Sequence, residues 1–387
     1  MIPKSKWPVY EDIIINKINK ILRSGKTNYL SGKEGKTFEK NFSKFYKLKY
    51  SNAISNATLG LELSLLSLKL KKGDEVIVTP RSYYSSVSCV HRVGLKPVFA
   101  DIDKITMNLC PDSIRKKITN KTKAIICVHL YGMPCDMPEI IKISKKHKLK
   151  IIEDCSQAHG SKIGKKYVGT FGDISVFSFC QDKIISTGGE GGMIATNNKN
   201  LYEIIWSLKE IGKNRKKFYN VDKSLNIFPY VHDHIGTNAR ITELQSSIGI
   251  HQLKNLKTFI RKRNNNAMAY YSKLKDCKSL VIPSISSRVT HSFYRYTVII
   301  NNNLIKRSVL MKNLKKKGVI CTVGGCPTIY NEKFFLDKYE RKNKNLINAE
   351  YLKDKTISFL VDQTVSKKHI YKVCKILLNE IENFSKT

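Results

Sequence analysis

ISVFSFCQDKIISTGGEGGMIAT, residues 174–196, is the stretch from which the rest of the chain can be read. An apolar run with strand character leads into Ser178, then Lys183, then a glycine-rich turn, and a second apolar run follows. A lysine at the end of a buried strand can condense with an aldehyde, provided burial lowers its pKa enough to free the amine. Taken alone, the same letters fit a solvated lysine in a loop. TGGEGG fits an ordinary tight turn, since glycine tolerates positive φ.

Upstream, four short runs repeat the strand pattern: EVIVTP (75–80), PVFADID (97–103), AIICVHL (124–130) and KIIEDCS (150–156). Their β-branched content and their Gly or Pro boundaries favour buried strands. DMPEIIKISKKHK (136–148) reads as a helix with Ile140, Ile141 and Ile143 on one side, acidic residues in its first turn and a basic end. Alternating strands and helices imply a mostly parallel sheet covered on both faces, with ligands beyond the carboxyl ends of the strands. Past residue 240 the pattern changes to long helical sequence, a strand at YRYTVIINNN (294–303), a glycine-rich loop at 324–327 and a last helix over 368–383.

Three further stretches end where such ligands would sit. In KIIEDCSQAHG (150–160), Asp154 closes a buried strand, where a carboxylate needs a partner. A protonated pyridine nitrogen would serve, and a cap on the next segment would serve as well. In SNATLGLELSLLSL (55–68), Asn56-Ala57-Thr58 opens a helix whose free N–H groups suit a phosphate or an ordinary N-cap. In TPRSYYSS (79–86), Tyr83 or Tyr84 could lie flat on an aromatic ring or belong to the core.

The bulk numbers bound the alternatives. The 387 residues, 41% hydrophobic and 26% charged, suit a large domain plus a smaller one. No apolar run is long enough to span a membrane, and MIPKSKWPVY lacks the apolar region of a secretion signal, so a cytoplasmic protein is expected. The ten cysteines include no CxxC pair and no zinc spacing, so buried free thiols and no metal are expected. The net charge of +38 is spread along the whole chain, with no basic arm. It reads as a bias toward lysine and not as a nucleic-acid surface, although an anionic substrate would gain from the field.

The order of these signals — phosphate-type helix start, aromatic, strand-end Asp, strand-Ser-Lys — is that of a fold-type-I pyridoxal phosphate (PLP) enzyme. The chain resembles the DegT/DnrJ/EryC1/StrS family of sugar aminotransferases. The resemblance rests on YLSGKEGKTFEKNF, SNATLGLELSL, KKGDEVIVTP, GLKPVFADID, KAIICVHLYGMPCDM, IIEDCSQAHGS, GTFGDISVFSFCQDK, TGGEGGMIAT and IGTNARITELQSSIG. It implies an α/β fold: a large PLP-binding domain over 1–245, with a mostly parallel seven-stranded sheet flanked by helices, and a small C-terminal α+β domain over 246–387. The first ~15 residues would be free to pack on the small domain.

By the same resemblance, Lys183 bonds the cofactor and moves the proton, Asp154 pairs with its ring nitrogen, and Gln157 touches its 3-oxygen. Tyr83 stacks on the ring if Thr79 takes the place of the family's proline, and Tyr84 does if Pro80 takes it. Ala57, Thr58 and Ser178 hold the phosphate. Asn238 reaches the phosphate from the neighbouring subunit, which implies a homodimer with shared active sites. His232, His234, Arg240 and Tyr330 are candidates for the substrate, with loop-bracing roles open for the two histidines and the arginine. Two departures stand out. Cys180-Gln181-Asp182 replaces the usual aromatic-proline-threonine and is expected to reshape the wall beside the lysine. GGCPTIYNEKFF (324–335) replaces a His-Tyr-Pro segment of the substrate region.

The implied reaction moves an amino group from an amino acid, glutamate in the first instance, to a keto-sugar. The expected acceptor is a nucleotide-linked 4-keto-6-deoxyhexose, for cell-surface polysaccharide or lipopolysaccharide. A free keto-sugar acid such as an oxidised octulosonate is the alternative acceptor. A non-enzymatic basic binding or regulatory protein on the same fold is the alternative class. No nucleic-acid or membrane partner is expected.

Overall fold

The computed structural model describes residues 5–220, 231–282, 286–339 and 345–386. Its main sheet has seven strands in the order Tyr50–Ile54, Gly192–Thr196, Ile174–Ser178, Lys150–Asp154, Thr122–Val128, Glu75–Val78 and Lys96–Phe99. Gly192–Thr196 runs antiparallel to both its neighbours, and the other pairings are parallel. The mostly parallel sheet read from the sequence is therefore present, and each of the four short runs quoted above contains a strand.

Burial on both faces explains the composition of these strands. Every residue of Glu75–Val78, Ile174–Ser178 and Gly192–Thr196 is buried. One face packs a large apolar cluster that includes Val76, Ile126, Ile152 and Phe177. The opposite face packs Ile77, Ile125, Cys127 and Ile151 against the helix Met137–His147. That helix is capped by Asp136, whose side chain accepts the Glu139 N–H, and it ends on Lys145, Lys146 and His147. Ile140 and Ile143 are buried as expected, whereas Ile141 turns to the helix flank and is only half-buried.

A second, antiparallel sheet has the order Leu280–Val281, Tyr296–Ile300, Thr356–Phe359 and Cys321–Thr322. It has its own core, with Val298, Leu310, Ile357 and Ile370. The 32-residue helix Glu243–Leu274 joins the two cores, and a capping box between Thr242 and Gln245 fixes its start. Leu253 and Leu256 enter the first core, and Tyr270 and Leu274 the second. The division expected at 245/246 falls inside this helix. The amino-terminal segment touches both parts: Lys6 N–H donates to Thr364 Oγ1 at 3.0 Å, and Trp7 Nε1 donates to the carbonyl of Lys183 at 2.8 Å. No described helix is long and apolar enough to cross a membrane.

Candidate active site

A cavity of about 930 Å³ opens beyond the carboxyl ends of the central strands. Its wall brings together the helix start at Asn56–Thr58, the Tyr83 loop, Asp154 and Gln157, and the Ser178–Lys183 turn. Tyr294, Arg295 and the Thr322–Gly325 loop complete it from the carboxy-terminal half. The position follows from topology, since parallel strands deliver their loops to one edge of the sheet.

Asp154 ends its strand almost fully buried, at 3% exposure. Its Oδ2 accepts the Ser86 hydroxyl at 2.8 Å and its Oδ1 the Ser156 N–H at 3.1 Å. Among the described residues it forms no ion pair, so this carboxylate has hydrogen bonds but no cation. The preceding residue, Glu153, points to the other side of the sheet. There it accepts His129 Nε2 at 3.0 Å and the N–H groups of Gly169, Phe171 and Gly172. The buried trio His129, Glu153 and Cys155 is thereby committed to bracing a loop.

The helix Ala57–Ser67 begins at the cavity. The cap Asn56 takes the Leu59 N–H at 3.0 Å, and Ala57 and Thr58, the first two helical residues, line the opening. First-turn N–H groups have no partner within their own helix. Gly192 lies behind them, and a Cβ there would come within 3.0 Å of the Ala57 nitrogen. The absent side chain lets the strand pack directly under the helix start.

Lys183 follows a turn closed by its own N–H on Cys180 O at 3.0 Å. The glycines of the return turn, Gly188 at φ +89° and Gly189 at φ +127°, adopt angles that L side chains rarely take. Lys183 Nζ lies 3.4 Å from Asp182 Oδ1 and 3.4 Å from the Tyr294 hydroxyl, above whose ring it sits at 4.8 Å. Tyr294 in turn donates to Asp182, and Arg295 Nη2 lies 3.6 Å from Asp182 Oδ2.

These contacts act on the amine against the effect of burial. Burial does push Lys183 down, but the facing Tyr294 and Asp182 outweigh it and hold the amine above the ordinary lysine value. Burial likewise opposes ionisation of Asp182, and Lys183, Tyr294 and Arg295 together leave its carboxyl below the usual value.

Among the residues singled out in the sequence, Ala57, Thr58, Tyr83, Asp154, Gln157, Ser178 and Lys183 share this cavity. Tyr83 is the exposed lining tyrosine, whereas Tyr84 packs on Phe335 with ring centroids 5.5 Å apart. Gln157 Oε1 accepts the Tyr131 N–H at 2.8 Å.

Asn238, His232, His234 and Arg240 lie outside the cavity of this chain. Asn238 is exposed, and its backbone bridges Glu210. His232 is exposed beside Lys213, His234 Nδ1 is 2.9 Å from Ser207 Oγ, and Arg240 donates to Glu210 at 2.9 Å. Tyr330 also lies outside the cavity. The loop that carries it is pinned by Ile329 N–H on Pro80 O, so its ring is buried beside Phe99 and its hydroxyl donates to Glu350. Sequence reasoning placed Asp182 in the wall without its role beside the amine, and it missed Tyr294 and Arg295 as cavity residues. Asp182 was visible as a charge directly before the lysine, but nothing in the chain order announces that Tyr294 and Arg295 face it.

The model of the DegT/DnrJ/EryC1/StrS aminotransferase family matches residues 9–378. A GDP-perosamine synthase of Escherichia coli O157:H7 is 40% identical over 301 residues, covering 76% of this chain and 77% of that protein. The structure of an aminotransferase from Psychrobacter cryohalolentis superposes with a TM-score of 0.94 at 36% identity, covering 99% of this chain and 100% of that one. An E. coli GDP-4-keto-6-deoxy-D-mannose-3-dehydratase solved with bound hydrated PLP superposes at 0.86 with 27% identity, over 97% of this chain and 100% of that one.

The cavity fits PLP on its own evidence. The buried carboxylate without a cation suits a protonated ring nitrogen, the helix start over Gly192 suits a phosphate, and an amine shares the wall with them.

Proposed function

The chain belongs to the DegT/DnrJ/EryC1/StrS aminotransferase family, and we propose that it transfers the amino group of glutamate to a nucleotide-linked 4-keto-6-deoxyhexose for a surface polysaccharide. The observation that carries this reading is the convergence of Lys183 and Asp154, from neighbouring strands, on one cavity that a phosphate-type helix start also lines. Bound PLP supplies the carbonyl that captures the amino group and the electron-accepting ring that labilises the adjacent C–H bond.

The residues of this chain do the rest. Asp154 Oδ2, oriented by Ser86, keeps a proton on the ring nitrogen. Ala57, Thr58 and Ser178 would hold the phosphate, Gln157 the 3-oxygen and Tyr83 the ring, all from positions in the cavity wall. Lys183 would anchor the cofactor and then carry the proton at Nζ, with the Tyr294 hydroxyl and Asp182 as the neighbours that keep the amine in place. Asn238 serves the cavity of a second subunit, so the working unit is a homodimer with shared sites. His232, His234 and Arg240 reach the substrate there. We place the enzyme in the cytoplasm, as a large unit over 1–245 and a small one over 246–387.

The test is amination assayed by mass spectrometry, with glutamate as donor and two acceptors offered separately. A GDP- or dTDP-linked 4-keto-6-deoxyhexose should gain the amine, and a free keto-sugar acid should not. Amination of the free acid alone would replace this reading of the acceptor.

A further inference from the structure

Resting on that reading, we infer that Arg295 is the specificity-determining residue that receives a carboxylate of the amino donor, and that Asp182 occupies its place until the donor arrives. Lys183 and Arg295 are the two cationic side chains among the described residues of the cavity wall. Every amino acid that surrenders its amine must bring a carboxylate into this space, and a buried carboxylate needs a cation.

Asp182 already shows the geometry. One of its oxygens lies 3.4 Å from the lysine amine and the other 3.6 Å from the Arg295 guanidinium, with the Tyr294 hydroxyl donating to the second. It is an internal carboxylate set between an amine and a guanidinium, as a donor amino acid would be. Both cations also sit 4.8 Å from the centre of the Tyr294 ring.

The contact between Arg295 and Asp182 is long and not bidentate, so it can be exchanged. A planar guanidinium gains by trading it for two parallel hydrogen bonds to an incoming carboxylate. The other carboxylates of the wall, Asp154 and Glu190, are engaged elsewhere: Asp154 with Ser86 and Ser156, and Glu190 with the Cys180 thiol.

The experiment titrates glutarate, a dicarboxylate with no amine to react, into the cofactor-loaded protein by calorimetry, and titrates GDP in parallel. Arg295→Gln should weaken glutarate at least about tenfold, Arg295→Lys should recover part of the loss, and Asp182→Asn should tighten glutarate about two- to fivefold by removing the competitor. Opposite signs from two residues in contact are not what a scaffolding role produces. GDP binding should stay unchanged in all three variants.

Variants that bind glutarate like the wild type would overturn the inference, as would an Arg295→Gln protein that loses GDP and keeps glutarate. A failure of Arg295→Gln to fold leaves the outcome to Arg295→Lys and Asp182→Asn. A wild-type protein that takes up no PLP would instead sink the function proposed above.

Discussion

Lys209 and Lys183 are both drawn away from open water, and they are built for different ends. Lys209 is fully buried. Its Nζ is surrounded by Glu39 at 3.4 Å, Glu210 at 3.5 Å, the carbonyl of Ala53 at 3.3 Å and the face of Tyr29 at 3.7 Å. Fixed acceptors close around it, and no cavity reaches it among those described. Lys183 has fewer acceptors, at 3.4 Å, and one side open to about 930 Å³ of space. A saturated shell makes a structural lysine, whereas a sparse shell beside a cavity leaves the amine free to change partner.

That contrast can be broken most severely at its reactive end. Lys183→Ala should reduce turnover by at least about a thousandfold, measured as amine product per enzyme, because no other group in the wall can replace the anchoring amine. Asp154→Asn should cost about 10²–10⁴-fold in kcat, the equivalent of removing one partner of a buried charge pair. Lys209→Met should spare the absorbance of bound cofactor while lowering stability by about 3–5 kcal/mol in urea unfolding, since Glu210 is left with Arg240 alone. A Lys209 variant that loses the cofactor without losing stability would erase the distinction. Ser178→Ala should weaken PLP about 10–100-fold in a spectral titration, the worth of one hydrogen bond to a charged group.

The finest test concerns pH. The Lys183 amine is held above the ordinary lysine value, so its pairing with Asp182 contributes stability below that range and loses it as pH rises past it. The depressed Asp182 carboxyl adds the complementary limb, present above the usual aspartate value and lost as pH falls. Capture of the cofactor needs the neutral amine. At any given pH below the lysine range Asp182→Asn should therefore take up PLP faster than the wild type, followed by absorbance. Equal rates would show that Asp182 does not act on the lysine.

The sheet was legible because its strands are continuous β-branched runs between Gly and Pro stops, a pattern that burial on both faces imposes. The near half of the site was legible for a related reason: Asp154 and Ser178 end strands, Lys183 lies in the turn after one and Thr58 lies in the first turn of a helix, so chain order foretells their edge of the sheet. Tyr294 and Arg295 were not legible, because they come from just before a strand of the second sheet and meet Lys183 only through the packing of distant parts of the chain. The partners that hold the Lys183 amine were not legible, because burial is visible in an apolar sequence, while a tyrosine 111 residues away is not. The surroundings of Tyr330 were not legible either, since its partners Phe99 and Glu350 are not its neighbours in sequence.

The central claim is best tested by fixing PLP to the protein with borohydride and mapping the modified peptide by mass spectrometry. The account predicts the added mass on Lys183 and none on Lys209. Modification of a different lysine, or none at all, would contradict it.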